Sequence, residues 1–277
     1  MKHDFISDEL IINALREDIG QGDVTTRSTV PQDTVVQGKF IAKQQGVICG
    51  LPLVERVFQI LDPEVLIHFL VKDGDKVSPG MVVAEISGNA ASILSGERVA
   101  LNLLQFLSGI ATYTAQVVES VKETKLKILD TRKTLPCMRA LSKYAVRVGG
   151  GSNHRLDLAG GVLIKDNHIK AAGSITHAVI AARIHAPFTL KIEVETETLQ
   201  QVQEALNVGA DIIMLDNMDI ETMREAVRII NGRAFTEASG NMDRKNLLEV
   251  AATGVDAVSI GSLTNNTLSL DVSLKLL

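Results

Sequence analysis

The sequence contains no tryptophan, and aromatic residues make up only 3% of its 277 residues. Proteins that bind single-stranded nucleic acid depend on exposed aromatic rings for stacking, so a platform of that kind is not expected. The net charge of −5 also argues against a general nucleic-acid surface, which needs clustered positive charge. We therefore expect no nucleic-acid partner.

Cysteines and long apolar runs are also scarce. The two cysteines, Cys49 and Cys137, form neither a metal-ligand spacing nor a disulfide framework, which fits a reducing compartment. No run approaches the ~20 apolar residues of a membrane-spanning helix. The N-terminal stretch MKHDFISDELIINALRED carries charges where a signal peptide has its apolar core. The sequence predicts a cytoplasmic protein with no membrane partner.

The second half contains a repeated pattern of strands and helices. Six short apolar runs, beginning at Leu126, Gly161, Leu190, Ile212, Ala234 and Ala257, are each followed by reactive polar residues. The later helical stretches end at glycines that lie 23 and then 22 residues apart. A repeated strand and helix predicts a parallel sheet with its active site at the carboxyl ends of the strands. Six runs are too few for a complete barrel, which has typically eight strands.

The first half has less regular elements. We predict strands at 35–42 and 65–71, a helix at 51–60, and a helix capped by Ser95 that Ser108-Gly109 interrupts before it continues to about Val121. The stretch VKDGDKVSPGMVVAEISG resembles the turns of biotinyl and lipoyl carrier domains. Its Lys76 lacks a carrier's flanking pattern, so a small antiparallel sheet is favoured over a carrier arm.

Charged residues after the predicted strands point to an anionic ligand. The cations are Arg132, Lys133, Arg155 and Lys165, with His154 and His168 nearby, and the acids are Glu193, Glu195, Asp216 and Glu237. Four fixed cations suit carboxylates or phosphate, whereas the acids require Mg²⁺ or a developing cation. Glu193 and Glu195 share one face of a strand, and we favour Glu195 as the functional one.

Arg98 begins a predicted helix, where its charge opposes the helix dipole. It is therefore either a solvated surface residue or a ligand for an anion, in its own chain or in a neighbouring subunit. Spacing alone favours the solvated residue.

A family resemblance extends over essentially the whole chain. The segments DTRKTLP, GGGSNHR, LIKDNHI, IEVE, LDN, EASGN and SIGSLT, with LREDIGQGDVTT, AKQQGVICG and GERVALNLLQFLSGIAT before them, resemble the quinolinate phosphoribosyltransferase family (nicotinate-nucleotide pyrophosphorylase, carboxylating). The resemblance implies an N-terminal α/β sandwich domain over residues 1–109 and an incomplete parallel α/β barrel over 110–265. Residues 266–277 alternate like a strand that returns to the first domain.

The resemblance also implies a reaction and its residues. Quinolinate and phosphoribosyl pyrophosphate would give nicotinate mononucleotide, pyrophosphate and CO₂ in de novo NAD biosynthesis, in a homodimer that shares its active sites. The implied roles are these: Arg132, His154, Arg155 and Lys165 hold quinolinate; Lys133, Glu195 and Asp216 are catalytic; Ser239, Gly240, Asn241, Gly261, Ser262 and Leu263 line the phosphate end; Thr131 and the partner's Arg98 complete the substrate contacts. Glu195 and Asp216 would hold Mg²⁺ directly or through pyrophosphate.

Two residues depart from the family pattern, and two other functions stay open. Cys137 stands where glycine is common after TLP, and Asn265 where histidine is frequent, which affects loop geometry rather than charge. The alternatives are a related phosphoribosyltransferase-like paralogue with another substrate and a non-catalytic carrier or metabolite-binding protein. The set Arg132, Arg155 and Lys165 favours a dicarboxylate substrate over that of a paralogue. The pair Glu195 and Asp216 and the absence of a carrier lysine argue against the non-catalytic protein.

Overall fold

The computed structural model of the chain describes residues 8–277, except for the side chain of Arg244. The chain forms two compact units. The first contains residues up to Ala115, Leu135–Gly150 and Asn266–Leu277, and the second contains Gln116–Thr134 and Gly151–Asn265. Among the residues described, no helix is both long and apolar enough to cross a membrane.

The first unit combines an antiparallel sheet with helices. Its strands are β1 (Val35–Ala42), β2 (Gly46–Val47), β3 (Leu66–Phe69), β4 (Lys76–Val77), β5 (Val82–Asn89) and β12 (Val272–Leu276). Its helices are α1 (Asp8–Ile19), α2 (Val24–Thr29), α3 (Leu51–Leu61), most of α4 (Ala90–Ser120) and α5 (Arg139–Val148). The main sheet has the order β12-β1-β5-β3, and β2 pairs with β4. The C-terminal strand β12 is thus an edge strand of this sheet.

Helix α4 is one continuous helix, so the predicted interruption at Ser108-Gly109 is wrong. Polar and small residues usually favour turns, but here both face tertiary partners. The Ser108 hydroxyl accepts a hydrogen bond from Cys49 N at 2.9 Å. A Cβ on Gly109 would lie 2.2 Å from Leu268 O. Tertiary packing therefore decides the helix where local propensity does not.

The second unit is a parallel sheet with helical crossovers. Its strands are β6 (Lys127–Leu129), β7 (Val162–Ile164), β8 (Ile192–Thr196), β9 (Ile212–Asp216), β10 (Phe235–Ser239) and β11 (Ala257–Ser259). Its helices are α6 (Asp166–Ala172), α7 (Ile175–His185), α8 (Leu199–Asn207), α9 (Ile220–Ile230), the 3₁₀ turn Met242–Arg244, α10 (Leu247–Ala251) and α11 (Ser262–Asn265). The six strands follow the order β6-β11-β10-β9-β8-β7. The predicted fold class, an α/β protein with an incomplete parallel barrel, is confirmed.

Helix α9 shows how the sequence specifies these crossovers. Asp219 is its N-cap and accepts from Thr222 N at 2.8 Å, which satisfies a free amide at the helix start. Met223, Ala226 and Ile230 are buried along one face. Full burial of one such aliphatic side chain stabilises by about 1.5–3 kcal/mol. The helix therefore packs in one orientation and delivers the chain to β10.

Candidate active site

Polar residues lie where the parallel strands end. Asp216 is the last residue of β9 and Ser239 the last of β10, and the two are direct partners in the sheet. Thr131, Arg132 and Lys133 follow β6 by a few residues. Because carboxyl ends of parallel strands meet at one edge, these side chains share one rim of the second unit.

Two arginines on this rim have buried donors without acceptors. The Nε atoms of Arg132 and Arg155 are both buried and have no hydrogen-bond partner among the described residues. Burial, followed by the charge of Arg132, lowers the pKa of Arg155. The two positive guanidinium groups repel each other, and a buried N–H donor of a charged group that lacks an acceptor is costly. An anion with planar oxygens would relieve both costs.

Asp130 holds the segment that carries Arg155. This aspartate is fully buried, and its carboxylate accepts from Asn153 Nδ2 at 2.6 Å and from His154 N at 2.8 Å. The Arg155 guanidinium also donates through Nη1 to Gly161 O at 2.8 Å. Both ends of the arginine are therefore fixed before any ligand binds.

His154 contacts two buried glutamates. Its Nε2 lies 3.0 Å from a carboxylate oxygen of Glu193 and 3.6 Å from one of Glu237. Only 4% of Glu193 and 2% of Glu237 is exposed. Burial, and next the charge of Glu193, raise the pKa of Glu237 to about 7, although His154 opposes the shift. Near neutral pH this cluster is therefore partly protonated.

The hydrogen bonds of His154 argue against a metal ion in this cluster, although its three ligand atoms lie within 4.8 Å of one another. Arg155 N donates to His154 Nδ1 at 2.8 Å. Nδ1 is thus an acceptor, so the proton of the neutral ring is on Nε2. In this tautomer Nε2 donates to the glutamates, and a metal ion would have to replace that proton.

A second acidic pair lies further along the sheet. Burial, followed by the charge of Asp216, raises the pKa of the half-buried Glu195. Lys165 Nζ lies 3.8 Å from Glu195 Oε2. Like charges that repel in this way are relieved by a cation, and carboxylate oxygens are the ligands that Mg²⁺ prefers. The carboxylate oxygens of Glu195 and Asp216 are therefore suitable ligands for Mg²⁺.

Glycines border the rim after β10 and β11. A Cβ on Gly240 would lie 2.2 Å from the side-chain oxygen of Asn217, and a Cβ on Gly261 would lie 3.1 Å from Lys133 Cδ. The Ser262 hydroxyl is buried and, within residues 8–277, has no hydrogen-bond partner. Both glycines let neighbouring side chains approach the backbone closely, and the free Ser262 hydroxyl beside the end of β11 suits a phosphate site.

The predicted site residues divide between the two units. Those of the second unit lie on or beside the rim: Thr131, Arg132, Lys133, His154, Arg155, Lys165, Glu195, Asp216, Ser239, Gly240, Asn241, Gly261, Ser262 and Leu263. Leu263 is fully buried and so presents only its backbone. Arg98 belongs to the first unit and is exposed on α4.

The sequence did not single out three residues that build this rim, namely Asp130, Asn217 and Lys245. Lys245 donates to Met218 O at 2.8 Å, and burial lowers the pKa of its ammonium group, although the charge of Asp216 opposes this shift. The signal for Asp130 and Asn217 was their position directly after an apolar run, beside residues that were selected. For Lys245, which follows a 3₁₀ turn, no sequence pattern gave a signal.

Two family models match the sequence. The model described as "Quinolinate phosphoribosyl transferase, C-terminal domain" matches residues 110–275. The model described as "Quinolinate phosphoribosyl transferase, N-terminal domain" matches residues 23–108. Together the two matches span most of the chain.

Similar proteins extend over the same length. A Synechocystis sp. protein named "probable nicotinate-nucleotide pyrophosphorylase (carboxylating)" is 48% identical over 95% of this chain and 90% of its own. A Bacillus subtilis protein of the same name is 44% identical over 96% of this chain and 92% of its own. The crystal structure of NadC from Streptococcus pyogenes has a TM-score of 0.94 at 45% identity, covering 98% of this chain and 96% of that one.

Proposed function

The chain belongs to the quinolinate phosphoribosyltransferase family, and from this membership we infer that it is a decarboxylating phosphoribosyltransferase of NAD biosynthesis. It converts quinolinate and phosphoribosyl pyrophosphate to nicotinate mononucleotide, pyrophosphate and CO₂.

The unpartnered guanidinium donors carry the assignment of the quinolinate site. Arg132 and Arg155 each have a buried Nε without an acceptor within residues 8–277. Quinolinate has two adjacent carboxylates, whose planar oxygens match guanidinium forks. Lys165, whose ammonium lies 3.8 Å from Glu195, adds a compact positive charge. Both ring nitrogens of His154 have protein partners, so a contact between His154 and quinolinate would replace one of them.

The acidic and glycine-lined part of the rim suits phosphoribosyl pyrophosphate. Glu195 and Asp216 would face the ribose and hold Mg²⁺, directly or through pyrophosphate. When bound, Mg²⁺ would neutralise charge that develops on the leaving pyrophosphate. Lys133 is exposed beside Gly261 and would contact the same leaving group. Ser239–Asn241 and Gly261–Leu263 would line the 5′-phosphate end.

The chemistry needs positioning and charge rather than a protein nucleophile. The ring nitrogen attacks C1 of the ribose while the bond to pyrophosphate breaks, and positive charge develops on the sugar. Carboxylates of Glu195 and Asp216 stabilise that charge. The ring nitrogen of the adduct is then positive, and its charge stabilises the electron pair that stays on the neighbouring carbon when the 2-carboxylate leaves as CO₂. A proton at that carbon completes nicotinate mononucleotide.

A homodimer with shared sites and a cytoplasmic location belong to the same proposal. Arg98 is exposed on α4, where it is available to a second subunit, and the partner's Arg98 would complete the quinolinate contacts. Both cysteines are free thiols, Cys49 buried and Cys137 exposed, which suits a reducing compartment.

The test is turnover by the purified chain with quinolinate, phosphoribosyl pyrophosphate and Mg²⁺. We expect nicotinate mononucleotide and CO₂ in equal amounts.

Arg132→Gln removes one planar guanidinium group from the proposed quinolinate site. It should raise the KM for quinolinate roughly a hundredfold, the effect of losing at least one hydrogen bond between charged groups. Arg228→Gln is the matched control, because Arg228 is exposed and pairs with Glu225 on α9. Absence of both products from the unmodified chain would disprove the assignment.

A further inference from the structure

Asn217 follows directly after β9 in an unusual backbone conformation. Its φ is +55°, in the left-handed region that L residues other than asparagine and aspartate seldom adopt. Its backbone N donates to Ser239 O at 3.0 Å. This bond continues the pairing of β9 with β10 one residue beyond the last strand partners, Asp216 and Ser239. The left-handed turn thus occurs at the point where the acidic part of the rim begins.

The side chain of Asn217 connects two groups on the rim. Its Nδ2 donates to Asp216 Oδ2 at 2.7 Å, and its Oδ1 accepts from Asn241 Nδ2 at 3.3 Å. The first bond is the shorter of the two, and its acceptor is a carboxylate oxygen. One amide therefore joins the carboxylate at the end of β9 to the segment after β10.

Gly240 provides the space for this amide. A Cβ on Gly240 would lie 2.2 Å from Asn217 Oδ1 and 2.6 Å from its Cγ. The φ of Gly240 is +92°, which also favours glycine. Two independent constraints at residue 240 thus preserve the position of the Asn217 side chain.

We propose that Asn217 is a positioning residue that holds Asp216 for the ribose and couples it to the Ser239–Asn241 segment at the phosphate end. Because one carboxylate oxygen of Asp216 is bound by the amide, the other is directed away from it and is available to the sugar or its cation. The amide of Asn241 then fixes the phosphate segment relative to that carboxylate. This role rests on the proposed function, since it concerns the site for phosphoribosyl pyrophosphate.

A purely conformational role is the competing explanation, and Asn231 provides the comparison. Asn231 also has a left-handed backbone, with φ 46°, and its N donates to Val227 O where α9 ends. Asn231 lies at the end of a helix, whereas Asn217 follows Asp216 at the end of a strand. If the left-handed turn alone mattered at residue 217, the two asparagines would respond alike to glycine, which adopts this conformation without strain.

The experiment compares Asn217→Gly with Asn231→Gly in the full chain. Both variants keep the left-handed turn, and Asn217→Gly removes the amide. We expect Asn217→Gly to raise the KM for phosphoribosyl pyrophosphate roughly tenfold to a hundredfold, the effect of losing a hydrogen bond to a charged group. The KM for quinolinate should stay within about twofold of the wild-type value. Asn231→Gly should leave both constants unchanged.

Asn217→Asp supplies the second test. Aspartate tolerates the same backbone, but its oxygens repel Asp216 where the amide donates. The KM for phosphoribosyl pyrophosphate should therefore rise in the order wild type, Asn217→Gly, Asn217→Asp. A wild-type KM for Asn217→Gly, or equal losses for both substrates, would overturn the positioning role. If the wild-type chain itself makes no nicotinate mononucleotide, the proposed function fails first.

Discussion

Glu237 shows how one buried residue makes a binding site sensitive to pH. Burial and the charge of Glu193 raise its pKa to about 7, so it carries a proton in slightly acidic solution and loses it in alkaline solution. His154 lies close to both glutamates, and Arg155, which donates to His154, interacts electrostatically with Glu193. Ionisation of Glu237 therefore adds negative charge close to the residues proposed to bind a dicarboxylate.

We predict that Glu237→Gln stabilises the chain by an amount that grows as pH rises from about 4.5 to about 7, and that it strengthens quinolinate binding at alkaline pH. The folded state holds a proton on Glu237 from about the ordinary pKa of 4.5 up to about 7, whereas the unfolded state has lost it. Stability from this group therefore falls as pH rises through that interval and stays low above it. Glutamine imitates the protonated carboxyl and does not ionise.

The measurements are urea unfolding at pH 4 and pH 8.5, and quinolinate titration at pH 6 and pH 8.5. At pH 8.5 the variant should be more stable than wild type by on the order of 1–3 kcal/mol, with little difference in stability at pH 4 and little difference in quinolinate affinity at pH 6. Glu225→Gln is the control, because Arg228 holds the pKa of the partly exposed Glu225 below its usual value. The same gain at both pH values would contradict a titrating Glu237.

The functional role of a single residue was predictable from sequence only where a charged side chain directly follows an apolar strand. Lys165 stands directly after an apolar strand, where a cation is costly to bury unless it is paired. The sequence favours Glu195 over Glu193 as the functional residue because Glu195 lies nearer the strand end. The bond from Glu193 to His154 crosses 39 positions of sequence, so no local pattern could reveal it. The role of Asn217 could likewise not be predicted from its neighbours in sequence, because it depends on a hydrogen bond with the distant Asn241.

Elements were predictable where hydrophobic period and caps agree. The strands of the second unit and the helix face of α9 follow from such patterns, as Met223 and Ile230 show. The interruption predicted within α4 failed for a physical reason. Ser108 and Gly109 are poor helix formers in isolation, but each is specified by a partner distant in sequence, Cys49 and Leu268.

We predict that Gly109→Ala loosens the C-terminal strand although alanine favours helices. The added Cβ would lie 2.2 Å from Leu268 O, so the segment before β12 must shift. That segment is held to α4 by Leu270 N, which donates to Gln105 O at 3.0 Å. Steric overpacking of this kind costs typically 1–3 kcal/mol, more than the gain in helix propensity.

Thermal unfolding and amide hydrogen exchange would measure this effect. The variant should unfold at a lower temperature than wild type, and the amides of Val272–Leu276 should exchange faster than in wild type, while those of β9 keep their wild-type exchange rates. Gly161→Ala is the control, because no atom lies within 4 Å of the added Cβ. Unchanged exchange in β12 would show that the C-terminal segment adapts to the methyl group at no cost.

At the scale of the whole molecule, the sequence specifies two units but only one of them carries the strand-end chemistry. All proposed substrate contacts except Arg98 belong to the second unit, and Arg98 belongs to the first. Arg98 is exposed on α4, and the spacing of the sequence does not identify a group that it would bind. Only the family resemblance proposed that the partner's Arg98 completes the site, so a shared site stays a prediction that assembly experiments must test.

The decisive experiment mixes two variants with defects in different parts of that site. Arg98→Ala and Lys165→Ala should each be nearly inactive alone. In a mixed dimer, one site combines an intact Lys165 with the intact Arg98 of the other subunit, while the second site carries both defects. Random exchange makes half of the dimers mixed, so about a quarter of wild-type activity should return if the sites are shared in a symmetric dimer.

Subunits carrying different affinity tags would be unfolded together, refolded, and purified through both tags before the assay. Arg98→Ala mixed with wild-type-like Arg228→Gln is the control for exchange itself. Because one site of each purified mixed dimer is whole, its activity should approach half that of wild type. No recovery in doubly purified dimers would place Arg98 in its own chain's site or outside any site, since only an exchanged Arg98 can restore a site that kept Lys165.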